Sequence, residues 1–357
     1  MFGTVTFRKA TLPGTIGTLL FMVSCFANAY PSDTFLNYLN QTRTDQKRNH
    51  QLCYAYEDST PGLPCNPAFL GLDRQNTGWV YGYGNNNLQF FQDVADIVRG
   101  PIRAQELLAI VDHNSHDNFQ LELSMGYVSS TWGVNVIPDK LVLFTNFRNP
   151  ALPRITVLAA REREIQFQLG SFLSKEWSWG LQLRGVQRRF TYSDAYFSDY
   201  MTGDADFLNS IRSQNAYYIE PSLLYVPESS DWNPLASVMI TNLGKPDFYM
   251  DPYDYNPAAQ FAFSIAPQTD YGTFKMGVTS QWVQQAEINR IFSAAGLTYS
   301  YSWFDLFTTV SEFEKQLGVS FNFEYLTTSV SYAQQDWSNT PSPNAHSLWR
   351  WDLGILF

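Results

Sequence analysis

The feature that most constrains this chain is a period of two. Phe119, Leu121, Leu123, Met125 and Tyr127 alternate with Gln120, Glu122, Ser124 and Gly126. Trp177, Trp179, Leu181 and Leu183 alternate with Ser178, Gly180, Gln182 and Arg184. The same rhythm runs through Phe261, Phe263 and Ile265, then Phe274, Met276 and Val278. It continues through Leu297, Tyr299, Tyr301 and Trp303, and through Leu317, Val319, Phe321, Phe323 and Tyr325. Successive side chains of a strand point to opposite faces, so each segment predicts a strand with one apolar face. The opposite faces are rich in Gly, Ser and Ala. Strands that meet lipid on one side and a lumen on the other are written this way. Within lipid every backbone group must be paired, which forces such strands to close into a barrel. A soluble β-sandwich also alternates, but its outer faces are solvated rather than small, and its apolar faces do not end in aromatics.

Composition agrees with a barrel. Charged residues are 16% and aromatic residues 16% of the 357, against about a quarter charged in an ordinary soluble domain. The formal charge is −10, which disfavours a nucleic-acid partner. Further strands are expected near 77–84, 131–137, 140–147, 153–160, 163–173, 216–226, 234–242, 304–311 and 326–334, some of them merging. Single-chain bacterial barrels have even strand numbers. The sequence therefore predicts an all-β, transmembrane antiparallel β-barrel of about 14 strands, with 12 to 16 open. The chain ends with Trp349, Trp351, Leu353, Ile355 and Phe357 on one face. This resembles the C-terminal targeting strand that the barrel-assembly machinery reads in bacterial outer-membrane proteins.

The N-terminus carries an export signal. Arg8 and Lys9 precede an apolar stretch from Ile16 to Phe26, and Ala27-Asn28-Ala29 is an A-x-A cleavage site. Residues 1–29 are thus expected to be a signal peptide, with lipidation at Cys25 as a competing outcome. Cys53 and Cys65 remain. In an oxidising compartment an even pair predicts a disulfide. Residues 30–75 do not alternate. They form an N-terminal segment that could plug the lumen or hang as a periplasmic tail. The barrel proper is expected over 76–357, with a helical insert near 88–112 that Gly100-Pro101 divides.

Two short stretches carry a family resemblance. Cys65-Asn66-Pro67-Ala68-Phe69-Leu70 stands just before the first strand. Val238-Met239-Ile240-Thr241-Asn242-Leu243-Gly244-Lys245-Pro246 has the form of an N-L-G-x-P strand end. Both resemble segments of FadL-type fatty-acid channels and of the related TraF-like and PorV-like proteins. The resemblance implies a 14-stranded barrel with an N-terminal segment inside it and a role with hydrophobic molecules. Some members of that group act in secretion or assembly instead. The paired cysteines and the helical insert depart from the pattern.

Catalytic signals are weak. The four His are His50, His113, His116 and His346, and there is no G-x-S-x-G elbow. Asp112-His113-Asn114-Ser115-His116-Asp117 could bind a divalent cation or act as a polar cap between elements, and the cap is favoured. Arg184 and Arg188 share one strand face. They would attract anions or pair with lumen acids such as Glu122 and Glu324. No cofactor, metal or catalytic residue is expected. The predicted function is a channel or transporter for small molecules, hydrophobic ones included, in the bacterial outer membrane. Its expected partners are outer-membrane lipid, the barrel-assembly machinery and a small hydrophobic ligand. A structural or assembly barrel is the alternative, and a barrel hydrolase around His113 and His116 a weaker one.

Overall fold

A computed structural model of the chain describes residues 50–56, 62–72, 76–85, 116–148, 154–196, 198–199, 212–228, 231–247, 256–270, 272–284, 289–311, 314–335 and 346–357. The signal peptide, residues 30–49 of the N-terminal segment, the 88–112 insert, Cys25 and His113 lie outside them.

Fourteen antiparallel strands pair in sequence order. We label them β1 Thr77–Asn85, β2 His116–Val128, β3 Trp132–Arg148, β4 Arg154–Phe172, β5 Trp177–Tyr196 and β6 Arg212–Tyr225. Strand β7 is broken into Leu235–Thr241 and Leu243–Pro246. There follow β8 Ala258–Ile265, β9 Gly272–Gln284, β10 Asn289–Tyr301, β11 Phe304–Ser311, β12 Glu314–Asn322, β13 Leu326–Gln335 and β14 His346–Leu356, with a two-residue arm Gln268–Thr269 beside β9. The sheet closes where β14 pairs with β1, from Trp79 opposite Leu356 to Asn85 opposite Arg350. Phe357 completes the seam. Its N–H donates to the Gly78 carbonyl at 3.0 Å, and the Gly78 N–H donates to its carbonyl at 2.8 Å. Its ring lies over Gly78, filling the place a side chain would take.

The expected lipid face is the exposed one. Leu121, Leu123, Met125, Tyr127, Trp177, Leu183, Phe261, Phe263, Phe274, Leu297, Leu317 and Phe323 are exposed, as are Trp349, Trp351, Leu353, Ile355 and Phe357. Their neighbours Ser124, Ser178, Gln182 and Ser320 are buried in the interior. Phe119 differs from the expected face: it is buried against Leu143 and Ala159 near the far end of β2. Aromatics gather at the short-turn end. Trp177 packs on Tyr225, Tyr127 on Trp132, and Trp303 on both Phe321 and Phe323. Short turns mark the periplasmic end of such barrels and long loops the extracellular end, so this girdle marks the inner interface. The chain is an outer-membrane β-barrel.

Two expected strand pairs merge. Residues 131–137 and 140–147 form one strand because Pro138 and Asp139 make a bulge. Ile137 pairs with Glu164 and Lys140 with Glu162, leaving two residues of β3 opposite one of β4. Proline has no N–H to give a ladder, and a bulge accommodates it. Residues 153–160 and 163–173 likewise run together as the 19-residue β4. The barrel wall is uneven: β5 has 20 residues and β8 only 8.

Candidate functional site: the filled lumen

The polar motif near β1 builds the first part of the interior. Asn66 caps a 3-10 turn over Pro67–Gly71, its side chain accepting from the Ala68 N–H at 2.9 Å. Proline at the first position of the turn loses no needed hydrogen bond. Ala68, Phe69 and Leu70 are wholly buried. The turn lies on the inner faces of β4, β5 and β6. Ser178 Oγ donates to the Ala68 carbonyl at 2.7 Å, the Ala68 N–H donates to Ser222 Oγ at 3.2 Å, and Gln168 Nε2 donates to the Pro64 carbonyl at 2.8 Å. Leu70 and Leu63 rest against Trp79, Tyr81 and Tyr83, which line the inside of β1.

A second turn, His50–Tyr54, sits across the lumen on β7 to β10. Ser237 Oγ donates to the Tyr54 carbonyl at 2.8 Å and Ser264 Oγ to the Ala55 carbonyl at 2.6 Å. The Tyr56 hydroxyl bonds Thr298 Oγ1 at 3.0 Å, and Lys275 Nζ stands 6.0 Å over its ring. The Cys53–Cys65 disulfide joins the two turns, as the cysteine count predicted. Both turns therefore occupy the short-turn half of the lumen.

The small residues of the alternating faces explain why they fit. A Cβ on Gly180 would collide with Ala68 and Pro67, one on Gly170 with Pro67 and Leu70, and one on Gly296 with Leu52. A Cβ on Gly277 would come within 3.0 Å of Ala55 and Tyr56. Gly170 and Gly180 let the backbone at Pro67 and Ala68 lie against the wall, and Gly277 and Gly296 leave room for the side chains of Leu52, Ala55 and Tyr56.

Above this floor lies a buried charge network on β3 to β6. Lys140 Nζ is 2.7 Å from Glu162, and Arg188 bonds the same carboxylate. Arg184 lies 3.4 Å from Glu220 and 3.7 Å from Glu164, bonds the Asn242 side chain, and stacks 4.7 Å over the Tyr218 ring. Gln182 Nε2 donates to Glu220 at 2.6 Å. Three cations thus meet three carboxylates, which is what lets buried charges persist. A separate buried pair on the opposite wall forks Arg350 onto Glu314 at 2.5 Å through both nitrogens.

Arg184, Arg188 and Glu122 are all buried. Arg184 and Arg188 pair with Glu162, Glu164 and Glu220. Glu122 sits opposite Lys140 in the β2–β3 register. Glu324 is exposed in the turn after β12, because the strand ends at Asn322 and the alternation does not carry into the turn. Sequence reasoning missed Lys140, Glu162, Glu164, Glu220 and Asn242. Arg161-Glu162-Arg163-Glu164 contained the signal, since a period of two sends both glutamates to one face and both arginines to the other.

The N-L-G-x-P stretch makes the break in β7. Asn242 has φ +59°, a left-handed conformation that Asn tolerates better than most residues. Its N–H donates to Glu220 at 3.1 Å and its Nδ2 to the Asn256 carbonyl at 3.0 Å. Past it, Leu243–Pro246 pairs, among the described residues, with β6 alone.

Opposite the charge network the wall is small and apolar. Ala258, Ala262, Val283, Phe292, Ala294 and Phe307 are buried there. Gln260, Thr279 and Gln281 stand among them, and Gln260 Oε1, Thr279 Oγ1 and Gln281 Oε1 are buried with no hydrogen-bond partner among the described residues.

No protein-family model matches the chain, and no curated protein matches it. Among solved structures it is similar to the toluene transporter TodX of P. putida, at 8% identity and TM-score 0.44, over 83% of this chain and 94% of that one. It is similar to the toluene transporter TbuX of Ralstonia pickettii, at 9% identity and TM-score 0.46, over 85% and 94%. It is also similar to LpxR from Salmonella typhimurium, at 10% identity and TM-score 0.34, over 78% and 100%. The 14 strands agree with the number that the resemblance in the sequence implied.

Proposed function

We propose that this chain is a non-enzymatic outer-membrane channel for small, poorly water-soluble molecules, with residues 30–75 acting as its removable plug. The observation that carries the reading is the way residues 50–56 and 62–72 are held. Serine and glutamine side chains of the wall grip backbone carbonyls, and the glycine seat holds the turns by close approach. Such contacts number few strong bonds, so the segment can shift without dismantling the wall. Above it, the buried Ala258, Val283 and Phe292 face a cargo that gains by leaving water. The hydrocarbon channels to which the barrel is similar suggest the same class of cargo for this chain.

Uptake into proteoliposomes tests the reading. The intact protein should pass a small monoaromatic compound and exclude a disaccharide. Gly180→Val, which displaces Ala68 from its seat, should admit the disaccharide while leaving the barrel folded by heat-modifiable migration. An intact protein that passes neither solute, with Gly180→Val no different, would favour an assembly or structural barrel instead.

A further inference from the structure

The outer surface carries a basic cluster that the channel does not use. Along β4 the exposed face reads Phe167, Ile165, Arg163 and Arg161, going up from the aromatic girdle, with Phe172 exposed at the strand's end. Along β5 it reads Trp177, Leu183, Gln187 and Arg189. A transmembrane strand crosses the hydrocarbon in about 9–11 residues. Starting at Phe172 and Trp177, the two strands leave hydrocarbon at the level of Arg163 and Gln187. The arginines therefore stand where the outer leaflet presents its headgroups.

Their arrangement is unfavourable on its own. Arg161 lies directly opposite Arg189 in the β4–β5 register, and Arg163 lies opposite Gln187, one step down the same face. Like charges directly opposite each other on a sheet repel. The bulge in β3 turns Asp139 outward, and it takes Arg161 in a two-pronged contact at 2.7 Å for each bond. Arg163 and Arg189 are left exposed, with no ion pair among the described residues. In a chain of net charge −10, three cations share this patch with a single carboxylate. Below it, Ile165, Leu183 and Ile219 offer an exposed apolar surface on three neighbouring strands.

We infer that Arg161, Arg163 and Arg189 form a seat for the phosphate groups of a phosphorylated outer-leaflet lipid, whose acyl chains lie along Ile165, Leu183 and Ile219. Guanidinium groups match phosphate oxygens in a fork geometry. Diagonal neighbours about 7–8 Å apart are within reach of long side chains, so one phosphate can take both Arg163 and Arg189. Asp139 holds Arg161 upright beside them rather than filling the seat.

Native mass spectrometry of the full-length protein in detergent tests this. Lipid A is the probe, compared with the same lipid stripped of its phosphates and with inorganic phosphate as competitor. The intact protein should retain phosphorylated lipid A, and Arg163→Gln with Arg189→Gln should weaken retention at least tenfold. The single change Arg163→Gln should weaken it less and serves if the double variant fails to fold. Removing the lipid phosphates should weaken binding to the intact protein to the same degree, and equimolar inorganic phosphate should not displace the lipid. Lys175→Gln, an exposed cation at the short-turn end, should change nothing. Unchanged retention in both arginine variants, equal retention of the stripped lipid, displacement by equimolar phosphate, or an equal loss with Lys175→Gln would each overturn the proposal.

Discussion

At the scale of single residues, the interior is decided by which side chains are missing and which charges are paired. Gly170 and Gly180 make room for the backbone at Pro67 and Ala68, and Gly277 and Gly296 for the side chains of Leu52, Ala55 and Tyr56. Glu162 is shared by Lys140 and Arg188 in a region closed to water. Removing one partner of a buried ion set leaves an uncompensated charge, typically at a cost of about 3–5 kcal/mol. Glu162→Gln is therefore expected to destabilise the barrel by that order, measured by denaturant unfolding in micelles. A loss below about 1 kcal/mol would mean that the network is hydrated and that the lumen there is open. Gly180 and Arg188 were legible as lumen-facing from the period of two, whereas Lys140 and Glu162 were missed. The pairing was not legible, because partners come from neighbouring strands whose register the sequence does not state. Arg184 could be placed on an inner face from Trp177 onward, yet its bond to Asn242 depends on a strand break 58 residues away.

At the scale of elements, strand boundaries were readable where turns are short and misread where the ladder tolerates a defect. Phe304–Ser311 and Leu326–Gln335 fall where the alternation placed them. β3 and β4 were split in expectation because Pro138-Asp139 and the charged run at 161–164 interrupt the apolar rhythm. The structure carries β3 through its defect as a bulge and lets β4 rise past the apolar belt. The disulfide was legible from compartment and count alone. The final strand is the element on which closure depends. Phe357 exchanges two backbone hydrogen bonds with Gly78 and shields it with its ring. Deleting Phe357 should lower the yield of heat-modifiable, membrane-inserted protein severalfold. Phe357→Ser keeps the backbone pair and should have a smaller effect on stability once inserted. Wild-type yield from the deletion would show that the seam closes without its last residue.

At the scale of the whole molecule, the alternation, the aromatic girdle and the closed seam describe a wall, while the irregular N-terminal segment gives that wall its content. The alternative of a periplasmic tail was open in the sequence because a 3-10 turn has no long-range signature. The plug proposed above rests on the fit of Pro67 and Ala68 against Gly170 and Gly180, more than a hundred residues later. A barrel of 14 strands is wider than the 8-stranded barrels that side chains alone can fill, and approaches the 16-stranded porins that leave an aqueous channel. Its lumen must therefore be occupied or leak. The most direct measurement is single-channel conductance in planar bilayers, for the intact protein and for a variant lacking residues 30–75 whose folding is verified by heat-modifiable migration. The account predicts low, rarely opening conductance for the intact barrel and large, sustained openings for the variant. Porin-like conductance in the intact protein, or no change on deletion, would contradict it.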